Sequence, residues 1–420
     1  MRIKINLKTL SDITFGLIIG QVIIFRFFNV QGYVNKLLLL LEIICIFLNR
    51  TNKFGLNKWL VVFGGILFLN GFYYGYGDVF WSNILMLFYP LLDIFFVGWY
   101  SKKYQFSMIR MLKKIVIPVN VYMWINIIVM LIQMRGTYFM VGYSDWENPA
   151  YWDLISGLFG YSTTHVVCMF TTGVILYDLV EIKLLKGNSK LYMKFNIILL
   201  IIVSSWMAII NDNIAFFIVA PLSIMCWIFF STNLKRVSKF LKICLACLTI
   251  VLLTSVTFTI APDIRTFLYK EILYKFIGVF QVAQSGNNIT HGSMERIAQI
   301  IYGLNVLNGW KLGAGFNKVG LFHNGYFGFA HFGNANAGGM VCLGGIWSWL
   351  ALCLVYSENI SSFLKVNKKS VIVFCFSIVF VILLSIYTTL FTDVSIALSA
   401  YFIVVVFWYA NRLNIIDKKG

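Results

Sequence analysis

Most of this chain consists of apolar runs of about 18 to 23 residues, the length that crosses a hydrocarbon core of roughly 30 Å as α-helix. Between them lie short clusters of Lys, Arg and Asn. Strands of a membrane barrel would alternate apolar and polar positions over about ten residues, and these runs do not alternate. The pattern predicts an all-α integral membrane protein with about twelve transmembrane helices. They fall near 10–29, 33–49, 58–75, 79–99, 114–133, 158–181, 195–211, 213–231, 242–260, 335–357, 370–391 and 394–411. No small-residue cleavage site follows the first run, so it reads as a retained span and not a signal peptide. The whole of 1–420 is expected to form one polytopic domain.

Composition agrees with this class. The chain is 60% hydrophobic and 12% charged, and a soluble fold of that balance would have too little polar surface to face water. Its net charge of +18 is distributed by position. Lys and Arg gather on alternate connections: Arg2, Lys4 and Lys8; Arg50, Lys53 and Lys58; Lys102, Lys103, Arg110, Lys113 and Lys114; Lys183, Lys186, Lys190 and Lys194; Lys235, Arg236, Lys239 and Lys242; Lys365, Lys368 and Lys369; Arg412, Lys418 and Lys419. By the positive-inside rule these mark the cytoplasmic side and place both termini there, in a multi-pass protein of the cytoplasmic (inner or plasma) membrane. Juxtamembrane cations attract anionic lipid, so the charge needs no nucleic acid to explain it. The eight cysteines all lie within apolar runs, and Cys244-x-x-Cys247 reads as packing on one helix face.

The basic residues that break the rule are Arg26, Lys36, Arg135, Arg265, Lys270, Lys275, Arg296, Lys311 and Lys318. Several of them fall in two long external connections, 134–157 and 261–334, the second lying just before the tenth helix. Loops of such length are uncommon unless functional. Within the second, 264–280 has the apolar spacing of a helix lying in the membrane surface. Ser293 is a candidate cap for a helix that carries Arg296 in its first turn. A cation there opposes the helix dipole, but with the free backbone donors it suits an anion such as phosphate. The glycines of NGWKLGAGFNKVG (308–320) let backbone approach another helix or a ligand. His323 and His331 follow among Tyr326, Phe327, Phe329 and Phe332, and imidazole is the natural general base near neutral pH.

The order Arg296, Gly313-Ala-Gly315, a histidine stretch containing HNGYF (323–327), and Gly344-Gly345 opening a span resembles the late external loop of the O-antigen polymerase (Wzy) and O-antigen ligase superfamily. GLFG-YS (157–162) looks like that family's earlier loop. The external Ser-Arg pair that many members carry is missing, since the corresponding tip reads SSWMAIINDN (204–213). The resemblance implies an inverting glycosyltransferase that uses no metal or cofactor. Its donor would be a glycan on undecaprenyl diphosphate and its acceptor a single lipid-linked repeat unit, with a chain-length regulator and a flippase as partners. On that reading Arg296 meets the leaving diphosphate, with Arg135, Arg265 or Lys311 as auxiliary cations, and either His323 or His331 takes the hydroxyl proton.

Three other readings are weighed against it. A ligase of the same superfamily would differ only in its acceptor. Asp145-Trp146-Glu147 has the D-x-E spacing by which some lipid-dependent glycosyltransferases bind a divalent cation, but in those families the motif usually lies in the first external loop and here it lies in the third, so it reads as a solvated turn. A transporter or flippase would use charges inside the membrane, for which Arg26, Glu42 and Asp93 are the candidates, but no internal repeat accompanies them.

Overall fold

The computed structural model describes residues 6–48, 57–136, 154–211, 213, 215–231, 293–323, 327–330, 336–364 and 370–416. These form helices α1 (Leu7–Ile23), α2 (Gln31–Phe47), α3 (Lys58–Tyr74), α4 (Asp78–Lys103), α5 (Gln105–Gln133), α6 (Thr164–Glu181), α7 (Gly187–Ile210) and α8 (Ala215–Ser231). Then come α9 (Ser293–Val306), a short hairpin of β1 (Leu321–His323) and β2 (Phe327–Ala330), and α10 (Asn336–Leu364), α11 (Ser370–Tyr387) and α12 (Val394–Ile416). The ninth apolar run, the surface-helix segment 264–280 with Arg265, the D-x-E of Asp145 and Glu147, Cys244, Cys247 and His331 lie outside the described residues.

The protein is helical, and among the described residues six helices are long and apolar enough to cross a membrane: α4, α5, α6, α7, α10 and α12. Their burial separates centre from periphery. The apolar stretches of α6 and α12 are 89% buried and that of α10 is 78% buried, whereas those of α5 and α7 are only 28% buried. A helix apolar on all sides belongs inside a bundle, and small residues let such helices approach. Gly173 of α6 meets this need, because a Cβ there would lie 2.4 Å from the ring of Phe402 on α12. Around this core, α7 leaves Phe195, Ile198 and Ile202 exposed, which suits a face turned to lipid.

Polar side chains tie the bundle together at the end where the basic residues collect. Asp178 of α6 accepts hydrogen bonds from Asn120 of α5 at 2.8 Å and Asn196 of α7 at 2.9 Å, and Trp124 donates to Asn196 at 2.8 Å. With no water in a bilayer core, such groups must satisfy one another.

At the opposite end α10 is broken. Gly345 has φ +77° and ψ 166°, which interrupts the helical hydrogen bonds. The chain after α9 fills the break: Ala314 N–H donates to Cys342 O and Gly315 N–H to Leu343 O, both at 2.8 Å, and Ile346 N–H donates to Gly309 O at 2.7 Å. Side chains complete the joint, since Asn70 of α3 donates to Leu312 O at 2.9 Å and accepts from Phe316 N–H at 2.9 Å, while Asn83 of α4 donates to Phe316 O at 2.8 Å. A Cβ at Gly345 would stand 2.2 Å from Lys311 O, so only glycine fits. The glycine turn that the sequence marks for close backbone approach is therefore seated in a helix. The antiparallel hairpin beyond it pairs Leu321 with Ala330 and Phe322 with Phe329, then slips register at His323.

Candidate functional site

The sequence places most of its unexplained cations near one end of the bundle, and there four segments converge. Just past α1, Tyr122 of α5 donates to Ile23 O at 2.5 Å, and the chain turns at Asn29 with φ +55°. Gly160 (φ +92°) lets the loop before α6 lie directly on this turn, since a Cβ there would be 2.9 Å from Phe27 N. The result is that Arg26 points across the bundle and donates through Nη1 to Asp393 Oδ2.

Asp393 is held independently. Its Oδ1 accepts from Ser395 N–H at 2.9 Å and Ile396 N–H at 3.2 Å, the arrangement of an N-cap on α12. The turn that carries it, 388–393, is stapled to the start of α10: Asn336 N–H donates to Thr388 O at 3.1 Å, Asn336 Oδ1 accepts from Phe391 N–H at 2.5 Å, and its amide donates to Thr392 Oγ1 at 3.0 Å.

Arg296 occupies the first turn of α9. That helix rests on α10 through small residues, for a Cβ on Gly303 would lie 3.1 Å from Cys342 N and one on Gly338 would lie 2.5 Å from Gln299 Oε1. Its guanidinium carbon stands 6.0 Å from the centre of the Tyr387 ring, at the end of α11. His165, in the first turn of α6, interacts electrostatically with both Arg296 and Asp393. Its Nδ1 lies 3.2 Å from Asn213 Oδ1, and Asn213 in turn donates to Thr164 O at 2.5 Å.

Among the described residues the site thus joins two guanidiniums, one carboxylate and one imidazole. A guanidinium has five N–H donors, of which Asp393 occupies one on Arg26, so the cluster is suited to a multiply charged oxyanion such as phosphate.

The predicted residues are placed as follows. Arg296 belongs to this cluster. The backbone of His323 ends β1 opposite Phe327. Arg135 is exposed just beyond the cap of α5 at Met134, and Lys311 is exposed on the turn docked into the α10 break. Arg265 and His331 lie outside the described residues. Sequence reasoning did not assign His165 or Asp393 to a site, and it named Arg26 only as a membrane charge of the transporter reading. Arg26 carried the signal of a cation against the positive-inside rule, and His165 that of a histidine opening a span after GLFG-YS. Asp393, in a short turn between the last two apolar runs, carried none. Comparison of the chain with protein-family models, with curated proteins and with solved structures gives no match.

Proposed function

We propose that this chain is a polymerase of lipid-linked polysaccharide repeat units, for capsule, exopolysaccharide or O-antigen. It transfers a growing glycan from undecaprenyl diphosphate to a new repeat unit at the outer face of the cytoplasmic membrane. The observation that carries this reading is that Arg296 and Asp393 both act electrostatically on the His165 imidazole, while Asp393 also holds the guanidinium of Arg26, at the end of the bundle away from the basic clusters. Departure of a lipid diphosphate needs positive charge and forked N–H donors, and an attacking sugar hydroxyl needs a base. About twelve spans with both termini in the cytoplasm would put this end outside. The resemblance of the loop order to the polymerase and ligase superfamily supports the same chemistry, including an inverting, metal-independent transfer and partnership with a chain-length regulator and a flippase.

The test is the glycan profile of a strain lacking the chain. Single lipid-linked repeat units at the outer face, with polymer absent, are the expected result. Repeat units trapped at the inner face would mean a flippase, and normal polymer with no transfer to a further acceptor would mean a ligase.

A further inference from the structure

The histidines of the late loop follow Arg296 and the glycine turn, yet among the described residues the imidazole on which Arg296 acts electrostatically is that of His165, 131 residues earlier in the chain. Its hydrogen-bond partner decides which ring nitrogen carries the proton. The Asn213 amide nitrogen donates to Thr164 O at 2.5 Å, a backbone carbonyl that can only accept. That bond fixes the orientation of the amide and presents its oxygen, Oδ1, to His165 Nδ1 at 3.2 Å. A carbonyl oxygen also only accepts, so in the neutral ring Nδ1 must hold the proton and Nε2 carries a lone pair.

The rest of the setting holds the ring in place. Thr163, ahead of α6, donates through Oγ1 to Gly160 O at 2.5 Å, and its N–H donates to Ser156 Oγ at 3.3 Å. The loop before the helix is thus closed on itself, and Gly160 seats it against Phe27 next to Arg26. His165 remains half-buried in this position. Among the described residues the charged groups that reach it are Arg296 of α9 and Asp393 ahead of α12, a cation and an anion of the same cluster.

We propose that His165 is the general base of the transfer, with Asn213 as the positioning residue that selects its tautomer; this rests on the glycan-transfer reading above. Nε2 takes the proton of the acceptor hydroxyl as its oxygen bonds to the anomeric carbon of the donor. The bond from that carbon to the lipid diphosphate breaks, and its electron pair leaves with the diphosphate, whose charge Arg296 and Arg26 receive. The imidazolium then releases its proton to water. A base aimed by a third group is the recurring arrangement of acid–base catalysis, and such a base contributes about 10²- to 10⁴-fold.

Membrane vesicles carrying the full chain, supplied with the single repeat units extracted from the deletion strain, provide the assay. His165→Ala, at wild-type abundance in the membrane, is expected to lose about 100-fold or more in transfer rate. Added imidazole should restore part of that loss. Asn213→Ala, which keeps the ring but frees its tautomer, should lower the rate about tenfold or more and respond less to imidazole. Transfer by His165→Ala within threefold of wild type overturns the assignment, as does a loss that imidazole does not restore. If Arg296→Ala abolishes transfer while His165→Ala is normal, the polymerase reading stands and this base assignment falls. If the deletion strain accumulates no repeat units, the reading itself falls.

Discussion

Arg26 and Asp393, 367 residues apart, form an ion pair that joins the turn after α1 to the cap of α12. The carboxylate does two jobs with its two oxygens, so substitution can separate them. Asp393→Asn keeps an oxygen for Ser395 N–H and loses the ion pair, whereas Asp393→Ala loses both. A cap is worth about 1 kcal/mol. The expected order of thermal stability in detergent is wild type, then Asp393→Asn, then Asp393→Ala. Equal melting of Asn and Ala variants would show that the cap contributes nothing.

The docking of residues 308–316 into the break of α10 makes a prediction about glycine. Gly345→Ala adds a left-handed strain of roughly 1–2 kcal/mol and sets a methyl 2.2 Å from Lys311 O. Gly313→Ala does the same against Cys342 O at 2.7 Å. Both variants should accumulate poorly and be cleaved readily by protease in isolated membranes. Gly64→Ala is the control, since nothing lies within 4 Å of a Cβ there, and it should behave as wild type or slightly better.

At the other end, Asp178→Ala would leave the amides of Asn120 and Asn196 without their shared acceptor. Each buried donor left unmade costs about 1–3 kcal/mol. Loss of monodisperse protein on size-exclusion chromatography is the expected outcome, and Asp178→Asn, which retains one acceptor oxygen, should recover part of it. A well-behaved Asp178→Ala protein would show that the network is dispensable.

For Arg296 the prediction concerns chemistry and not folding. Arg296→Ala should insert normally and yield little polymer, with a loss on the order of 10²–10³-fold in transfer, as for removal of one preorganised donor to a developing charge. Arg296→Lys keeps the charge but not the fork, so it should recover only a fraction of activity. Full activity of the lysine variant would mean that charge alone matters, and full activity of the alanine variant would remove Arg296 from the site.

Much of the fold was legible in advance. Eleven of the twelve predicted runs coincide with helices α1 to α8 and α10 to α12, and the helix beginning at Ser293 with Arg296 in its first turn is α9. Helix limits were less so: α5 begins at Gln105, well before the apolar run at 114, because Lys and Arg keep their heads in water while the backbone is already helical. The hairpin at Leu321–Ala330 was missed, since its few aromatic residues are too short a stretch to show a period of two. Of the candidate site, Arg296 was named from its misfit with the helix dipole. His165 was overlooked because its interest comes from Asn213 and Arg296, neither of which is near it in the chain.

The sequence by itself determined the helical class, with runs apolar and long enough to cross a membrane, and the approximate helix positions, because hydropathy and periodicity are properties of contiguous residues and the bilayer imposes a length on them. Only the tertiary structure decided that Arg26 meets Asp393, that a glycine turn seals a break in α10, and that His165 shares a site with Arg296. Those outcomes depend on which helix faces pack together, and packing joins residues whose separation along the chain says nothing of their distance in space.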